Sequence, residues 1–253
     1  MTAPILEMSR VTKVFGGVRA VREVDMSVEP GTITAVIGPN GAGKTSLFNV
    51  VTGFDQPTEG TVRFQGEDVT GLEAWRVSQK GLIRTFQTPT GFPALSVWEN
   101  LMVGGTEDRQ ESLWAAFRGA WRSGETATHQ RARQVLSDLG LWDLRDTLLA
   151  DLPPGDVKLV DFARQLMAQP VMVLLDEPAS GVDPGSIDRL GNQIRQVRDE
   201  GMTVLVIDHN IGFVLDIADR VHVMSLGQII ASGAPDDVVR DPVVIEIYLG
   251  RSA

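Results

Sequence analysis

Cysteine is absent from the sequence, and only 3 of its 253 residues are histidines. The lack of cysteine excludes a disulfide scaffold, thiolate metal sites and cysteine nucleophiles, and three histidines leave little material for a histidine zinc site. Basic residues are outnumbered, because 23 Lys and Arg stand against 33 Asp and Glu and give a formal net charge of −10. A charge of this sign argues against the phosphate backbone of a nucleic acid as the main partner.

Long apolar runs are lacking as well. The longest are short segments such as Val171–Leu175, whereas roughly 18–20 residues are needed to span a bilayer. The segment Met1 to Arg10 contains no apolar stretch typical of a signal peptide. We therefore expect a chain that is neither exported by such a signal nor integral to a membrane. Hydrophobic residues still make up 43% of the chain, which is typical of a folded globular protein rather than a disordered one.

Short β-branched runs alternate with helical patterns along the chain, which is typical of a sheet with crossover helices. The runs Ile33–Gly38, Val171–Leu175 and Thr203–Ile207 are apolar on both faces, as buried parallel strands are. The pattern predicts an α/β fold with a mainly parallel sheet.

Two other runs, Val21–Val28 and Thr61–Phe64, alternate apolar and polar residues instead. Pro30-Gly31 and Glu59-Gly60 lie beside them and are typical turn residues. The combination predicts antiparallel hairpins in a small β subdomain that flanks the parallel sheet.

The stretch 96–150 contains no strong strand signal. Apolar residues precede Gly140 there at the helical spacing i, i+3, i+4 and i+7, and they are Ala132, Val135, Leu136 and Leu139. We predict an inserted α-helical subdomain at 96–150, with residues 1–95 and 151–253 forming the core of a single domain, 1–253.

A glycine-rich segment directly follows the run Ile33–Ile37 and ends in Lys44-Thr45. It matches the phosphate-binding loop, Gly, four residues, Gly-Lys-Ser/Thr, in the required order of strand, loop and helix, so a mere glycine-rich turn is the weaker alternative. Glycines let backbone N–H groups converge on phosphate oxygens, Lys44 reaches the terminal phosphates, and Thr45 can bind Mg²⁺. The predicted fold is therefore an α/β P-loop NTPase core. Its expected nucleotide-binding residues are Gly38, Pro39, Asn40, Gly41, Ala42, Gly43, Lys44, Thr45 and Ser46.

Two adjacent carboxylates, Asp176 and Glu177, follow the buried run Val171–Leu175. Open α/β sheets bind ligands at the C-terminal edge of their strands, so this pair is expected near the nucleotide. Asp176 suits the Mg²⁺ shell and Glu177 suits the attacking water. The alternative is that such a pair only solvates the surface or caps a helix.

Four other segments occur in a recognisable order. The first ends at Gln87. The second, before a predicted helix, consists of Leu152, Pro153, Pro154, Gly155 and Asp156. The third ends at Asp183, and the fourth contains His209. With these segments as Q-loop, signature, D-loop and switch histidine, the chain resembles the ATPases of ABC transporters over essentially its whole length.

This resemblance implies roles for the residues. Gln87 and His209 would sense the γ-phosphate beside the catalytic Glu177, and Gln87 would join Thr45 and Asp176 around Mg²⁺. ATP and Mg²⁺ are therefore the expected ligands. Two ATPase subunits would close head to tail on the nucleotides, and hydrolysis would reopen them.

Within that superfamily the segment Lys13–Val18, the helical insertion and the ending Val244–Gly250 are similar to the LivG-type ATPases of branched-chain amino acid importers. That group implies a peripheral ATPase on the cytoplasmic face of the plasma membrane, docked under two permease subunits and served by an external solute-binding protein. Some members import amides, urea or aromatic acids, so the solute stays open.

Phe15 is a candidate for stacking on adenine, with a packed turn aromatic as the alternative.

The signature departs from the family pattern Leu-Ser-Gly-Gly-Gln. Pro153 has neither a hydroxyl nor a backbone donor, and Asp156 places a negative charge where a triphosphate is expected. One explanation is a pair of non-identical ATPases in which the partner supplies a competent signature, and this is our prediction. The other is that Gly155 and the start of the helix suffice and that both sites turn over slowly.

The sequence therefore predicts the ATP-hydrolysing subunit of a membrane importer. One rival is a regulatory half of an asymmetric pair, which binds ATP but barely hydrolyses it. A second rival is a soluble ATPase that acts on DNA or ribosomes, against which the net charge and the single ATPase unit argue.

Overall fold

The computed structural model describes residues 3–85, 91–105 and 121–249, with the side chains of 121–126 and 249 excepted. These residues divide into two compact units. The first contains 3–85, 171–180 and 194–249, and the second contains 91–105, 121–170 and 181–193. Residues 86–90, which include Gln87, lie outside the described part of the chain.

The strands of the described residues all belong to the first unit. In chain order they are β1 Leu6–Phe15, β2 Val18–Val28, β3 Ile33–Ile37, β4 Glu59–Phe64, β5 Glu67–Asp68, β6 Leu82–Arg84, β7 Met172–Asp176, β8 Thr203–Ile207, β9 Arg220–Ser225 and β10 Gln228–Gly233.

The helices are distributed over both units. They are α1 Lys44–Val51, α2 Ala74–Gln79, α3 Val97–Gly104, α4 Trp121–Asp138, α5 Pro154–Met167, α6 Pro184–Asp199, α7 Ile211–Ile217, α8 Pro235–Arg240 and α9 Pro242–Leu249, together with the 3-10 turns Trp142–Leu144 and Leu149–Asp151.

A six-stranded sheet carries the site, and its order among the described strands is β10-β9-β3-β8-β7-β6. The pairs β9–β3, β3–β8, β8–β7 and β7–β6 are parallel, and among the described strands of this sheet only β10 is antiparallel. Every residue of β3, β7 and β8 is buried, because these strands are covered on both faces. The predicted mainly parallel sheet is confirmed.

The second sheet is antiparallel, with the order β2-β1-β4-β5. The expected turn residues at its hairpins were wrong. Gly16 and Gly17, with φ of 52° and 90°, form the turn between β1 and β2. Gly60 lies inside β4, where a Cβ would approach the carbonyl oxygen of Arg10 to 2.4 Å, so the glycine serves close strand contact rather than a turn. Gly31 joins β2 to β3, which are in different sheets.

The second unit is helical in its described part. Ala132, Val135, Leu136 and Leu139 are all buried, and Gly140 follows them with φ of +62° as a helix-ending residue does. A capping box between Ser96 and Glu99 begins α3. The predicted subdomain, 96–150, falls inside this unit, which continues to residue 170 because α5 packs against α3 and α4.

Candidate active site

The phosphate loop connects the C-terminal end of β3 to α1. Gly38 has φ of +155°, and a Cβ there would lie 2.1 Å from the carbonyl oxygen of Met224. Gly43 has φ of +103°, and its Cβ would lie 2.1 Å from the carbonyl oxygen of Ala20. Neither distance is possible for a real side chain, so both positions require glycine. The spacing of the motif thus follows from backbone packing as well as from phosphate chemistry.

Lys44 begins α1 and is buried at 7% exposure. Its Nζ donates to the carbonyl oxygen of Gly38 at 2.7 Å and to that of Pro39 at 3.1 Å. Burial lowers the pKa of Lys44 from its ordinary value, and the carboxylates of Glu177 and Asp176 act in the opposite direction. An ammonium held inside the loop, with carboxylates nearby, is suited to bind the terminal phosphates of a nucleotide.

An open cleft of about 480 Å³ lies over this loop. Asn40 to Ser46 and Glu177 line it, and so do residues that sequence reasoning did not identify: Val18, Arg19, Ala20, Arg22, Leu226 and Gly227. Arg19 and Arg22 follow the Gly16-Gly17 turn and bring positive charge to the mouth of the cleft, but no motif in the sequence identifies them. The volume is within the usual range for a small-molecule site.

Phe15 is exposed at 43% and is not among the residues that line the cleft. The Lys13 ammonium lies 4.7 Å from the centre of its ring, a cation–π contact. Stacking of Phe15 on adenine therefore stays a prediction.

The acidic pair occurs where β7 ends. Asp176 is the last strand residue and is buried at 7% exposure, whereas Glu177 lines the cleft. The Glu177 N–H still donates to the Ile207 carbonyl oxygen at 2.8 Å, but its φ is +50°, an unusual value for a residue other than glycine. The chain therefore turns sharply at Glu177, directly after the buried Asp176.

His209 follows β8, and its Nδ1 lies 3.7 Å from Oε2 of Glu177. The neighbouring Asp208 is completely buried and was not identified from the sequence. Its carboxylate accepts from the N–H of Ala179 at 2.8 Å and from that of Asn210 at 2.9 Å. Asp208 thereby fixes the loop that carries Glu177 to the loop that carries His209.

Two of the predicted ligands of a divalent cation offer oxygen atoms: the buried Asp176 carboxylate and the Thr45 hydroxyl, which lies on the cleft at the start of α1. Mg²⁺ prefers such hard oxygen ligands and is usually bound through one or two carboxylates together with substrate phosphates. The donor set therefore fits Mg²⁺. The third predicted ligand, Gln87, lies outside the described residues.

The signature segment lies in the second unit, at the start of α5. Pro153 is the N-cap residue and Pro154 opens the helix, a position that tolerates proline because the first N–H groups have no helical partner. Leu152 precedes the cap with extended backbone angles. Gly155 is buried, and a Cβ there would lie 2.9 Å from Cβ of Ser186.

Asp156 is paired within its own unit. Nη1 of Arg189 in α6 donates to Oδ1 of Asp156 at 2.8 Å, and Nη2 donates to the Gly140 carbonyl oxygen at 2.9 Å. The negative charge that the sequence places in the signature therefore has a counter-charge. Asp183 precedes α6, and a hydrogen bond from Ser186 lowers the pKa of its carboxyl below the ordinary value.

Across the described ranges, no helix is both long and apolar enough to cross a membrane.

Two family models match the chain. The model described as ABC transporter matches residues 21–180, and the one described as branched-chain amino acid ATP-binding cassette transporter matches residues 228–253.

Many curated proteins are similar to this chain, and two of them represent the match. The first, named probable branched-chain amino acid transport ATP-binding protein LivG of Methanocaldococcus jannaschii, is 38% identical over 99% of both chains. The second, the high-affinity branched-chain amino acid transport ATP-binding protein BraF of Pseudomonas aeruginosa, is 36% identical over 100% of both chains.

Many solved structures share the fold, and two of them represent the similarity. A nucleotide-free ATP-binding cassette from an ABC transporter has a TM-score of 0.85 at 37% identity and covers 97% of this chain and 99% of its own. The ADP conformation of an ATP-binding cassette also has a TM-score of 0.85 at 37% identity, covering 98% of this chain and 100% of its own.

Proposed function

Because the chain belongs to the ABC transporter family of ATPases, we propose that it is the ATP-hydrolysing subunit of an importer for branched-chain amino acids or related small polar and amide solutes. The observation that carries its chemistry is the meeting of the phosphate loop with Glu177 in one cleft, with His209 Nδ1 3.7 Å from the Glu177 carboxylate. The names of the relatives support the class of solute.

The proposed site binds ATP with its phosphates in the loop Gly38–Ser46 and its γ-phosphate near Lys44 and Glu177. Glu177 accepts a proton from the attacking water, and His209 and Gln87 contact the γ-phosphate. Positioning and charge stabilisation dominate such phosphoryl transfer, so the rigid loop and the buried Lys44 ammonium are its main contributors. Mg²⁺, which Thr45, Asp176 and Gln87 would hold, supplies further neutralisation of phosphate charge when it is bound.

The proposed assembly contains two permease subunits, a second ATPase subunit and, indirectly, an external solute-binding protein. In it the chain is peripheral, on the cytoplasmic face of the plasma membrane. The signature supports a partner that is not identical, because Pro153 offers no donor to a phosphate bound by the other subunit. Asp183, beside the signature helix, would belong to the same face.

A second candidate function is the regulatory half of an asymmetric ATPase pair. The observation that favours it is again the signature, in which Pro153 stands where the family pattern has serine and Asp156 stands where it has glutamine. The pairing of Asp156 with Arg189 weakens this alternative, because the carboxylate charge is largely compensated.

The test is steady-state, Mg²⁺-dependent ATP hydrolysis by the purified chain over a wide range of protein concentrations, with Glu177→Gln as the control. A specific rate that climbs with concentration and disappears in Glu177→Gln supports hydrolysis by a homodimer and shows that Pro153 is tolerated. Turnover that appears only after addition of a second ATPase subunit supports the unequal pair.

Two outcomes would count against hydrolysis by this chain. One is ATP binding by this chain in a complete transporter whose turnover comes from the partner ATPase alone, which would support the regulatory candidate. The other is a rate that Glu177→Gln leaves unchanged.

A further inference from the structure

Arg84 ends β6 at the same edge of the parallel sheet as Asp176. Its Nη2 donates to Oδ2 of Asp176 at 2.5 Å, and both side chains are only 7% exposed. The pair spans 92 positions of the sequence and lies within the first unit. A buried charge pair with this geometry is strongly coupled, because little solvent screens it.

A second contact fixes the other side of the guanidinium. Nη1 of Arg84 donates to Oδ1 of Asn49 at 2.6 Å, and Nδ2 of Asn49 donates to the Asp55 carboxylate at 2.9 Å. Each end of the Asn49 amide thus has a complementary partner, which determines its orientation. The rings of Phe48 and Phe54 each lie 5.8 Å from the guanidinium carbon. Arg84 is therefore held in one place.

The two contacts connect two elements of the site. Asn49 belongs to α1, the helix that begins at Lys44 and carries Thr45, and Asp176 ends β7. The planar fork of a guanidinium can set the distance between two acceptors, which a lysine ammonium on its flexible stem does less well. Arg84 consequently fixes the spacing of the two elements that carry the Thr45 hydroxyl and the Asp176 carboxylate.

We propose that Arg84 is a positioning residue for the divalent cation of this ATPase. It orients the Asp176 carboxylate relative to α1, and its positive charge limits how tightly that carboxylate holds the cation. The inference rests on the role proposed above for Asp176 as a ligand of Mg²⁺. It adds a residue that is not among those lining the cleft and that lies three positions before the Q-loop glutamine.

Removal of this charge has two expected consequences. The first is tighter binding of a divalent cation, because the Asp176 carboxylate loses its counter-charge. The second is a lower kcat, because the carboxylate is no longer oriented relative to α1. The two effects have opposite directions, and a purely structural defect would weaken both cation binding and turnover.

The experiment measures Mn²⁺ binding to the full chain by electron paramagnetic resonance, in the presence of a non-hydrolysable ATP analogue. The variants are Arg84→Met, Arg84→Lys, Asp176→Asn and the matched control Arg195→Met. Arg195 forms an ion pair of 2.6 Å with Asp216, whose side chain is 61% exposed, so its loss should leave the cation unaffected. Thermal unfolding with and without Mn²⁺ is recorded in parallel.

We expect Arg84→Met to bind Mn²⁺ at least about tenfold more tightly than the wild type, because removing a unit charge a few ångströms away in a poorly screened site has effects of this order or more. Its melting temperature should be lower than that of the wild type and should recover more on addition of Mn²⁺, which replaces the missing counter-charge. Arg84→Lys should restore the Mn²⁺ affinity but only part of kcat. If Arg84→Met does not fold, Arg84→Gln removes the charge and keeps a donor.

Unchanged or weaker Mn²⁺ binding by both uncharged variants would overturn the proposal. The role of Asp176 is tested separately, since Asp176→Asn should weaken Mn²⁺ binding. If Asp176→Asn binds Mn²⁺ as the wild type does, Asp176 is not a cation ligand and the site proposed above has failed. If Asp176→Asn weakens Mn²⁺ binding but the uncharged Arg84 variants do not strengthen it, only the inference on Arg84 has failed.

Discussion

At the scale of single residues, Glu177 combines chemistry with an unusual backbone. It is the first residue after a buried strand, it lines the cleft, and its φ is +50°. Residues held in sparsely populated backbone regions persist only where surrounding structure fixes them, as the hydrogen bond to Ile207 and the Asp208 contacts do here. The strained position is therefore one that lines the cleft.

Glu177→Gln is predicted to keep ATP binding and to lose roughly 10²–10⁴-fold in the rate of hydrolysis, the usual contribution of a general base. Glutamine is nearly isosteric, so the loop and the cleft should stay intact. Equilibrium binding measures the ATP affinity, and single-turnover hydrolysis measures the rate constant of the chemical step. A variant that loses affinity and rate together would indicate a binding role for Glu177 instead.

His222 makes stability depend on pH at a position away from the cleft. It is buried in β9, its Nδ1 lies 2.7 Å from the Ser232 hydroxyl, and burial together with the charge of Arg220 lowers its pKa from 6.5 to about 4. The folded state therefore excludes a proton that the unfolded state binds below pH 6.5. This contribution to stability is complete above pH 6.5 and is lost as the pH falls towards 4.

We predict that the free energy of unfolding falls on the order of 3 kcal/mol between pH 7 and pH 4 through this residue alone. His222→Gln does not titrate and should show a correspondingly shallower decline. Urea unfolding of both proteins at several pH values measures the difference. Parallel curves for the two proteins would show that His222 does not cause the loss.

At the scale of elements, the phosphate loop combines two kinds of glycine. Gly43 is needed because the Ala20 carbonyl oxygen occupies the place of a side chain, whereas a Cβ at Gly41 would meet nothing within 4 Å. Both have positive φ, 103° and 79°, so both also relieve backbone strain. Substitutions at the two positions therefore separate two contributions to the free energy of unfolding: the cost of a positive φ and the cost of a steric clash with Ala20.

Gly41→Ala is predicted to destabilise the nucleotide-free protein by about 1–2 kcal/mol, the cost of a left-handed conformation. Gly43→Ala should cost about 1–3 kcal/mol more, since the backbone must also move to avoid the collision. The free energy of unfolding in urea measures both. Equal losses in the two variants would mean that the contact with Ala20 is not limiting.

Local patterns made most of these elements predictable from the sequence. The phosphate loop, the buried strands and the helix that ends before Gly140 each depend on spacing within a few residues. The turn between β1 and β2 was missed although Gly16-Gly17 is a local signal, whereas the pairing of β1 with β4 is long-range, and Gly60 serves that second pairing. Arg84 and Arg189 have partners 92 and 33 positions away, so no local pattern could assign them.

At the scale of the whole molecule, the chain builds each unit from separate segments. The described part of the first unit consists of 3–85, 171–180 and 194–249, and that of the second begins at 91 and ends at 193. Composition and hydropathy along the chain reveal an insertion. They do not show at which residue the chain returns to the first unit, because α5 is apolar on one face like any core helix. Asp176 follows the last residue of the signature helix by nine positions and yet belongs to the other unit.

The net charge of −10 is also a property of the whole chain. We predict no saturable binding to duplex DNA or to ribosomes at about 150 mM salt, because phosphate contacts need a basic surface. ATP hydrolysis by the chain should be unchanged when either is added. Stimulation of turnover by nucleic acid would favour the rival soluble ATPase.

The buried carboxylate of Asp208 has a consequence for genetics. It ties the loop of Glu177 to the loop of His209 through backbone N–H groups of Ala179 and Asn210. Loss of this acceptor leaves two backbone donors without a partner and loosens both loops at once. A random screen for variants without ATPase activity should therefore recover position 208 about as readily as positions 177 and 209.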